Sequence, residues 1–350
     1  MIRIFGPWLF DGKEFVEGGV AVERGIVTGV SDSPPEDITH RGIVFPAMVN
    51  AHTHVGDAFI MRVPKGSVED IVAPPDGFKF KMLAKTSGKV IVKGMTRAAD
   101  EMADTGTGAF VDFRENGLRG VRALKTAMKG HEGVQAVILG RPRKLAYDAD
   151  ETREILGSAD GIGLSSISEW KRKDLVSISA QARSAGKIFA IHASERARED
   201  FEFISELEPR FVVHMAKAGA KDFEACGEAG IHVAVCPRSN AFFGFKPPVR
   251  RMLDAGIDVA LGTDNAMLAR PDMLAEARFL ARTQRGLSPG EIARMAISAP
   301  RKVLNLEPGL RLKKGSPADF VVLAAGRGDP ARAFLAPGKT PLVVRGAKAR

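Results

Sequence analysis

The chain of 350 residues predicts an α/β fold, a (β/α)8 barrel of the TIM type with a small β-sandwich subdomain built from both termini. Three observations carry that prediction. Short apolar runs recur between residues 42 and 263, and buried parallel strands read as continuous apolar runs of this kind. Segments with helical spacing separate most of them, as expected where strands and helices alternate. Towards both ends the chain turns instead to short strand patterns bounded by glycine turns.

In chain order, residues 2–5, 18–23 and 25–30 alternate or cluster apolar side chains, and Pro34-Pro35 closes this stretch. The candidate barrel strands are residues 42–50, 109–113, 134–139, 161–164, 188–192, 211–214, 232–236 and 258–263. Helical spacing covers 90–105, 118–128, 169–185, 195–207, 221–230 and 248–256, with further helices at 271–285 and 289–306. Glycines such as Gly106, Gly130 and Gly186 stand just past these segments, where a helix end favours them. Residues 309–312, 318–323 and 341–345 return to strand patterning and are expected to pair with the N-terminal strands. The expected division is a small β-subdomain of 1–45 with 309–350 and a barrel of 46–308. A doubly wound sheet is the alternative, but it would carry a Gly-rich phosphate loop after its first strand. His52-Thr53-His54 occupies that place. The connection 55–87 holds Pro64, Pro74, Pro75 and Gly77; so long a loop is uncommon without a function, and on a barrel it would lie over the mouth.

Composition narrows the classes. Hydrophobic residues make up 45% of the chain, enough for a large packed core. No apolar stretch approaches the ~20 residues that span a bilayer, and the N-terminus lacks the apolar core of a signal peptide, so no membrane association is expected. Cys226 and Cys236 do not form a disulfide framework, which favours a reducing cytoplasm. The net charge is +9, but Lys and Arg are scattered and no nucleic-acid fold signature accompanies them. A solvated basic surface is the reading, with no nucleic-acid partner expected; a basic binding protein on a barrel is kept as a remote alternative. A homo-oligomer is compatible with the sequence.

The chemistry starts at residues 44–57, VFPAMVNAHTHVGD. Positions i and i+2 of a strand share a face, so His52 and His54 can present two imidazoles to one metal ion. Such a pair alone is a common accident. Here His192 ends strand five, His214 ends strand six, and Asp264 follows strand eight. Four of the seven histidines thus fall at the C-terminal ends of barrel strands, the face that carries catalysis in this fold.

HTH after strand one, IHASE at strand five, VVHM at strand six, CPRSN at strand seven and LGTDN at strand eight resemble the amidohydrolase superfamily. The resemblance is to its cytosine deaminase, chlorohydrolase and adenosylhomocysteine/methylthioadenosine deaminase branch, and it covers nearly the whole chain. It implies one divalent metal, zinc or iron, held by His52, His54, His192 and Asp264, with a position left for water, whose pKa the metal lowers toward ~7 to supply hydroxide. Binuclear members carry a modified lysine on strand four, and residues 160–166, DGIGLSS, contain none. The resemblance further implies that His214 and Asp264 orient the water. Glu195, three residues beyond His192, would be the proton shuttle; the alternative is an acidic residue in the first turn of a helix. Ser239-Asn240 reads as a turn bracing the site. Arg114 and Glu115 end strand two and Arg141 follows strand three, so all three are candidate substrate contacts. The resulting expectation is a metal-dependent aminohydrolase that deaminates an aminated heterocycle: a purine, pyrimidine, pterin or nucleoside derivative. The alternative within the superfamily is a cyclic amidase or imidazolonepropionase-like C–N hydrolase.

Overall fold

The computed structural model describes residues 2–131, 133–306, 312–325, 328–338, 340–346 and 348–349. The chain divides into two compact units, Met1–Val49 with Glu101–Ala109 and Asp272–Arg350, and Asn50–Asp100 with Phe110–Pro271.

The first unit carries a mixed sheet of the two termini. Ile2–Phe10 runs parallel to His40–Pro46, and His40–Pro46 runs antiparallel to Asp319–Leu323, so the tail joins the N-terminal strands. Alternation places Phe5, Val20, Val44, Phe320 and Val344 on one buried core. Of the expected strand at 309–312, residues 309–311 lie outside the described residues; Leu312 packs against this core. The helices Met273–Thr283, Pro289–Ile297 and Ala299–Leu304 also belong to this unit, where they pack on one another and on the tail helix Pro330–Leu335. The units are therefore drawn differently from a division at 45 and 309. The single helix expected over 289–306 is two, because Pro300 has no N–H to continue the ladder.

The parallel sheet is a (β/α)8 barrel. Its strands pair in chain order: Met48–His54, Thr107–Arg114, Gln135–Gly140, Gly161–Leu164, Ile188–Ala193, Phe211–His214 and His232–Val235. The eighth strand is split and closes the ring. Val259–Leu261 pairs with strand seven and Asp264–Asn265 pairs with strand one. At the split, Gly262 N donates to Val235 O at 2.9 Å and Thr263 N to His52 O at 3.0 Å. A side chain at residue 262 would bring a Cβ to 2.8 Å from His52 N, so closure needs the glycine.

Four sequence expectations shift here. The apolar run 42–50 is not one strand: His40–Pro46 belongs to the terminal sheet, and barrel strand one begins at Met48 and runs through both histidines. The helix expected over 195–207 is only Phe201–Glu206, capped by Asp200, and residues 194–197 form bends. Glu195 is therefore not in the first turn of a helix. A helix Ala149–Ser158, capped by Asp148, lies between strands three and four where none was expected; its sequence ADETREILGS buries little beyond Thr152, Ile155 and Leu156. The connection 55–87 is structured, with short helices Val68–Ile71 and Phe78–Lys85.

Candidate active site

The site lies within the second unit. His52 and His54, two apart on strand one, face the same way, with ring centroids 4.9 Å apart. His192 joins them from strand five, 4.8 Å from the His52 ring. The parallel register sets Ala193 beside His214, so His214 on strand six sits next to His192, with ring centroids 5.3 Å apart. Asp264 enters from strand eight, its Oδ1 3.3 Å from His52 Nε2 and 3.6 Å from His54 Nε2. Both His214 (φ 77°) and Asp264 (φ 60°) take left-handed backbone. That strain, of order 1–3 kcal/mol per residue, is held at strand ends where the side chains must turn into the site.

Neighbouring groups fix each side chain. His192 Nδ1 lies 2.7 Å from Leu164 O, which makes it a donor and leaves Nε2 as the free lone pair. His54 Nδ1 lies 3.0 Å from Phe113 O and 2.8 Å from Glu115 Oε1, with the same result. Asp264 accepts from Ser239 Oγ at 2.6 Å and from Asn265 Nδ2 at 2.8 Å. Asn240 Nδ2 lies 3.1 Å from His214 Nδ1 and 3.5 Å from Glu195 Oε1. Ser239 and Asn240 thus brace the site from the helix Pro237–Phe242 that follows strand seven.

Burial lowers the pKa of His52, His192 and His214, and with the charge of Lys79 takes His54 down to about 3. All four are neutral at pH 7, as metal ligands must be. Burial pushes Asp264 upward, but its close contact with His52 and the imidazoles of His214 and His54 around it outweigh that and hold its carboxyl well below the ordinary range. Burial, reinforced by the charge of Asp264, raises Glu195 to about 8.

The donor set fits a divalent metal. Candidate ligand atoms of His52, His54 and His192 lie within 4.8 Å of one another, as do those of His52, His214 and Asp264. Both ring nitrogens of His52 are buried without a hydrogen-bond partner. A fully buried imidazole with no partner is costly, and a cation at Nε2 would satisfy it.

The pocket over these groups has a volume of about 290 Å3. Its walls include Val68, Glu69, Lys79 and Phe80 from the connection after strand one, with Glu115, Arg141, Glu169 and Glu195. Arg141 lies over the Phe80 ring, 5.1 Å from its centroid. Arg114 does not line this pocket; its guanidinium is buried and committed to Asp112 and Glu115. Glu115 turns to His54, Lys79 and Arg114. Lys79, Asn265 and Glu169 escaped the sequence reading. Lys79 lies in the connection 55–87, which reads as a loop, and Glu169, read as the first residue of the helix over 169–185, instead closes the short turn Ile167–Glu169 after strand four, the helix itself being Arg172–Ser184.

The Amidohydrolase family model matches residues 43–345. The chain belongs to the amidohydrolase family. It is 33% identical over 335 residues to an uncharacterized protein of Methanocaldococcus jannaschii, covering 89% of this chain and 87% of that one. It is 27% identical over 350 residues to a 5-methylthioadenosine/S-adenosylhomocysteine deaminase of Halobacterium salinarum, covering 88% and 80%. Among solved structures, the fold matches an adenosine deaminase from Xanthomonas campestris with bound zinc at a TM-score of 0.79, with 17% identity over 99% of this chain and 92% of that one. The chain is a hydrolase acting on C–N bonds other than peptide bonds, with a small-molecule substrate. No helix among the described residues is long and apolar enough to cross a membrane.

Proposed function

We propose that this amidohydrolase is a mononuclear zinc enzyme that deaminates an aminated heterocycle, with Glu195 as its proton shuttle. The observation that carries the reading is the carboxyl of Glu195. It lines the pocket three residues beyond His192, stands 3.5 Å from His214 Nε2, and is raised to about 8. A buried, protonated carboxyl beside a set of metal ligands is what attack on an aromatic amidine needs, because the ring nitrogen must gain a proton as its carbon turns tetrahedral.

His52, His54, His192 and Asp264 would hold the metal, which when bound supplies an activated water. His214 then serves as an orienting group: with Asn240 donating to Nδ1, the ring proton sits on Nε2 and faces Glu195. Glu195 gives its proton to the ring nitrogen as the C–O bond forms and takes up the proton that the water releases. It passes that proton to the amino group, the C–N bond breaks and ammonia leaves. The proton of the remaining hydroxyl returns to Glu195 as the carbonyl forms. Strand four, GIGL, offers no lysine to bridge a second metal.

The test combines metal analysis with a screen of aminated purines, pyrimidines, pterins and nucleosides for ammonia release. About one tightly held ion per chain and ammonia release by at least one member are expected. Two ions retained after dialysis would contradict the mononuclear reading, and a metal-loaded chain that leaves every aminated ring intact would contradict deamination.

A further inference from the structure

The pocket contains a buried lysine that the reaction above does not use. Lys79 is 1% exposed and is carried on the helix Phe78–Lys85, inside the connection that follows strand one. Its Nζ donates to Asn265 Oδ1 at 2.9 Å, is ion-paired with Glu115 Oε1, and stands 3.8 Å from Asp57 Oδ2. An ammonium is costly to bury unless its N–H groups are paired, so these oxygens set where it sits.

Both close partners lead on to the metal ligands. Asn265 Nδ2 donates to Asp264 Oδ1 at 2.8 Å, and Glu115 Oε1 lies 2.8 Å from His54 Nδ1. One ammonium thus reaches ligands on strands one and eight through a single intermediary each. The chemistry of the contacts gives them direction. An ammonium has no acceptor, so it selects the amide oxygen of Asn265 and turns the NH2 group toward Asp264. Glu115 is shared among Lys79, His54 and Arg114. Without Lys79 it is free to swing toward Arg114, and His54 Nδ1 keeps only Phe113 O.

We propose that Lys79 is a positioning residue for the metal centre, and that it couples docking of the connection after strand one to metal ligation. This rests on the reading of His54 and Asp264 as ligands. Partners that orient metal ligands are each worth 10–100-fold in metal affinity. Because coupling between two equilibria is reciprocal, a docked connection strengthens metal binding and bound metal tightens the connection by the same factor.

The experiment uses the full chain with zinc, in wild type, Lys79→Met and Lys79→Gln. Zinc affinity is read by competition with a chelator, and amide hydrogen exchange over residues 67–85 is followed with and without zinc. Lys79→Met is expected to weaken zinc binding by about 10–100-fold. In wild type, chelation should speed exchange across 67–85; in Lys79→Met, exchange there should be fast and indifferent to zinc. Adding Asn265→Ala to Lys79→Met should cost less than the sum of the single changes, since both act on Asp264 through one link. A Lys79→Met chain that binds zinc as tightly as wild type overturns the proposal. Should both Lys79 variants fail to fold, wild-type exchange at 67–85 that ignores zinc overturns it alone. A wild type that binds no zinc overturns the ligand reading itself, and this coupling with it.

Discussion

Replacing Glu195 by Gln removes one proton and little else. The amide matches the carboxyl in size, its oxygen can still accept from Asn240, and the side chain is only 14% exposed, so the surrounding packing is kept. Glu195 is not among the candidate ligand clusters, so metal content should be unchanged. What is lost is a group held protonated at neutral pH by burial and by the charge of Asp264, with a pKa of about 8. General acid–base help is worth about 10²–10⁴-fold, and Glu195 acts both on the ring nitrogen and on the leaving amine. Turnover should therefore fall by at least about 10³-fold, roughly 4 kcal/mol of barrier. The assay is steady-state ammonia release at saturating substrate, with metal content and substrate-analogue binding measured on the same preparation. A Gln variant turning over within tenfold of wild type, with metal intact, would refute the shuttle and the deaminase assignment with it.

Three further outcomes follow from the geometry. His214→Asn should lose most activity but keep its metal, whereas His192→Asn should lose both; metal loss from the His214 variant by elemental analysis would make His214 a ligand. Glu169 presents a buried Oε2 with no hydrogen-bond partner to the pocket, 3.7 Å from Arg196 on its other oxygen, so it is placed to accept from a substrate N–H or O–H. Glu169→Gln should raise KM about tenfold or more while leaving kcat within a few-fold, as loss of a hydrogen bond to a charged group would; unchanged KM would remove Glu169 from recognition. The third concerns the chelated chain between about pH 7.5 and 8.5, above the ordinary range in which an unfolded histidine titrates. There the buried histidines are neutral in the folded state and nearly so in the unfolded one, while Glu195, raised by burial to about 8, still holds its proton only in the folded state, with a smaller share from Asp57, raised to about 7. Folded pKa values above the unfolded ones mean that their contribution is complete at low pH and is lost as pH rises through the folded values. The melting temperature should fall across this window, and fall less in Glu195→Gln; parallel profiles would contradict the raised pKa of Glu195.

Much of the site could be read from spacing. His52 and His54 are two apart, which on a strand fixes a shared face, and His192, His214 and Asp264 close apolar runs that end at one rim of the barrel. The motif HTH sits inside strand one rather than beyond it because the apolar run VFPAMVN passes from one sheet into another at Ala47. Lys79 and Asn265 carry no periodic signal. They become part of the site only when a helix of the 55–87 connection meets the end of strand eight, 186 residues away in sequence. Arg114 and Glu115 were visible as charges at the end of strand two, but which way they turn depends on Asp112, Lys79 and His54. The helix Ala149–Ser158 was hidden by its acidic composition, which resembles a solvated loop.

The central claim is that water replaces an amino group on an intact ring. The most direct measurement is the product mass after turnover of the responsive substrate in heavy-oxygen water by the zinc-loaded chain. Deamination predicts a product in which one nitrogen and its hydrogens have left as ammonia and one heavy oxygen stands in their place. A product that keeps every nitrogen and gains a whole water, the signature of ring opening, would contradict the account.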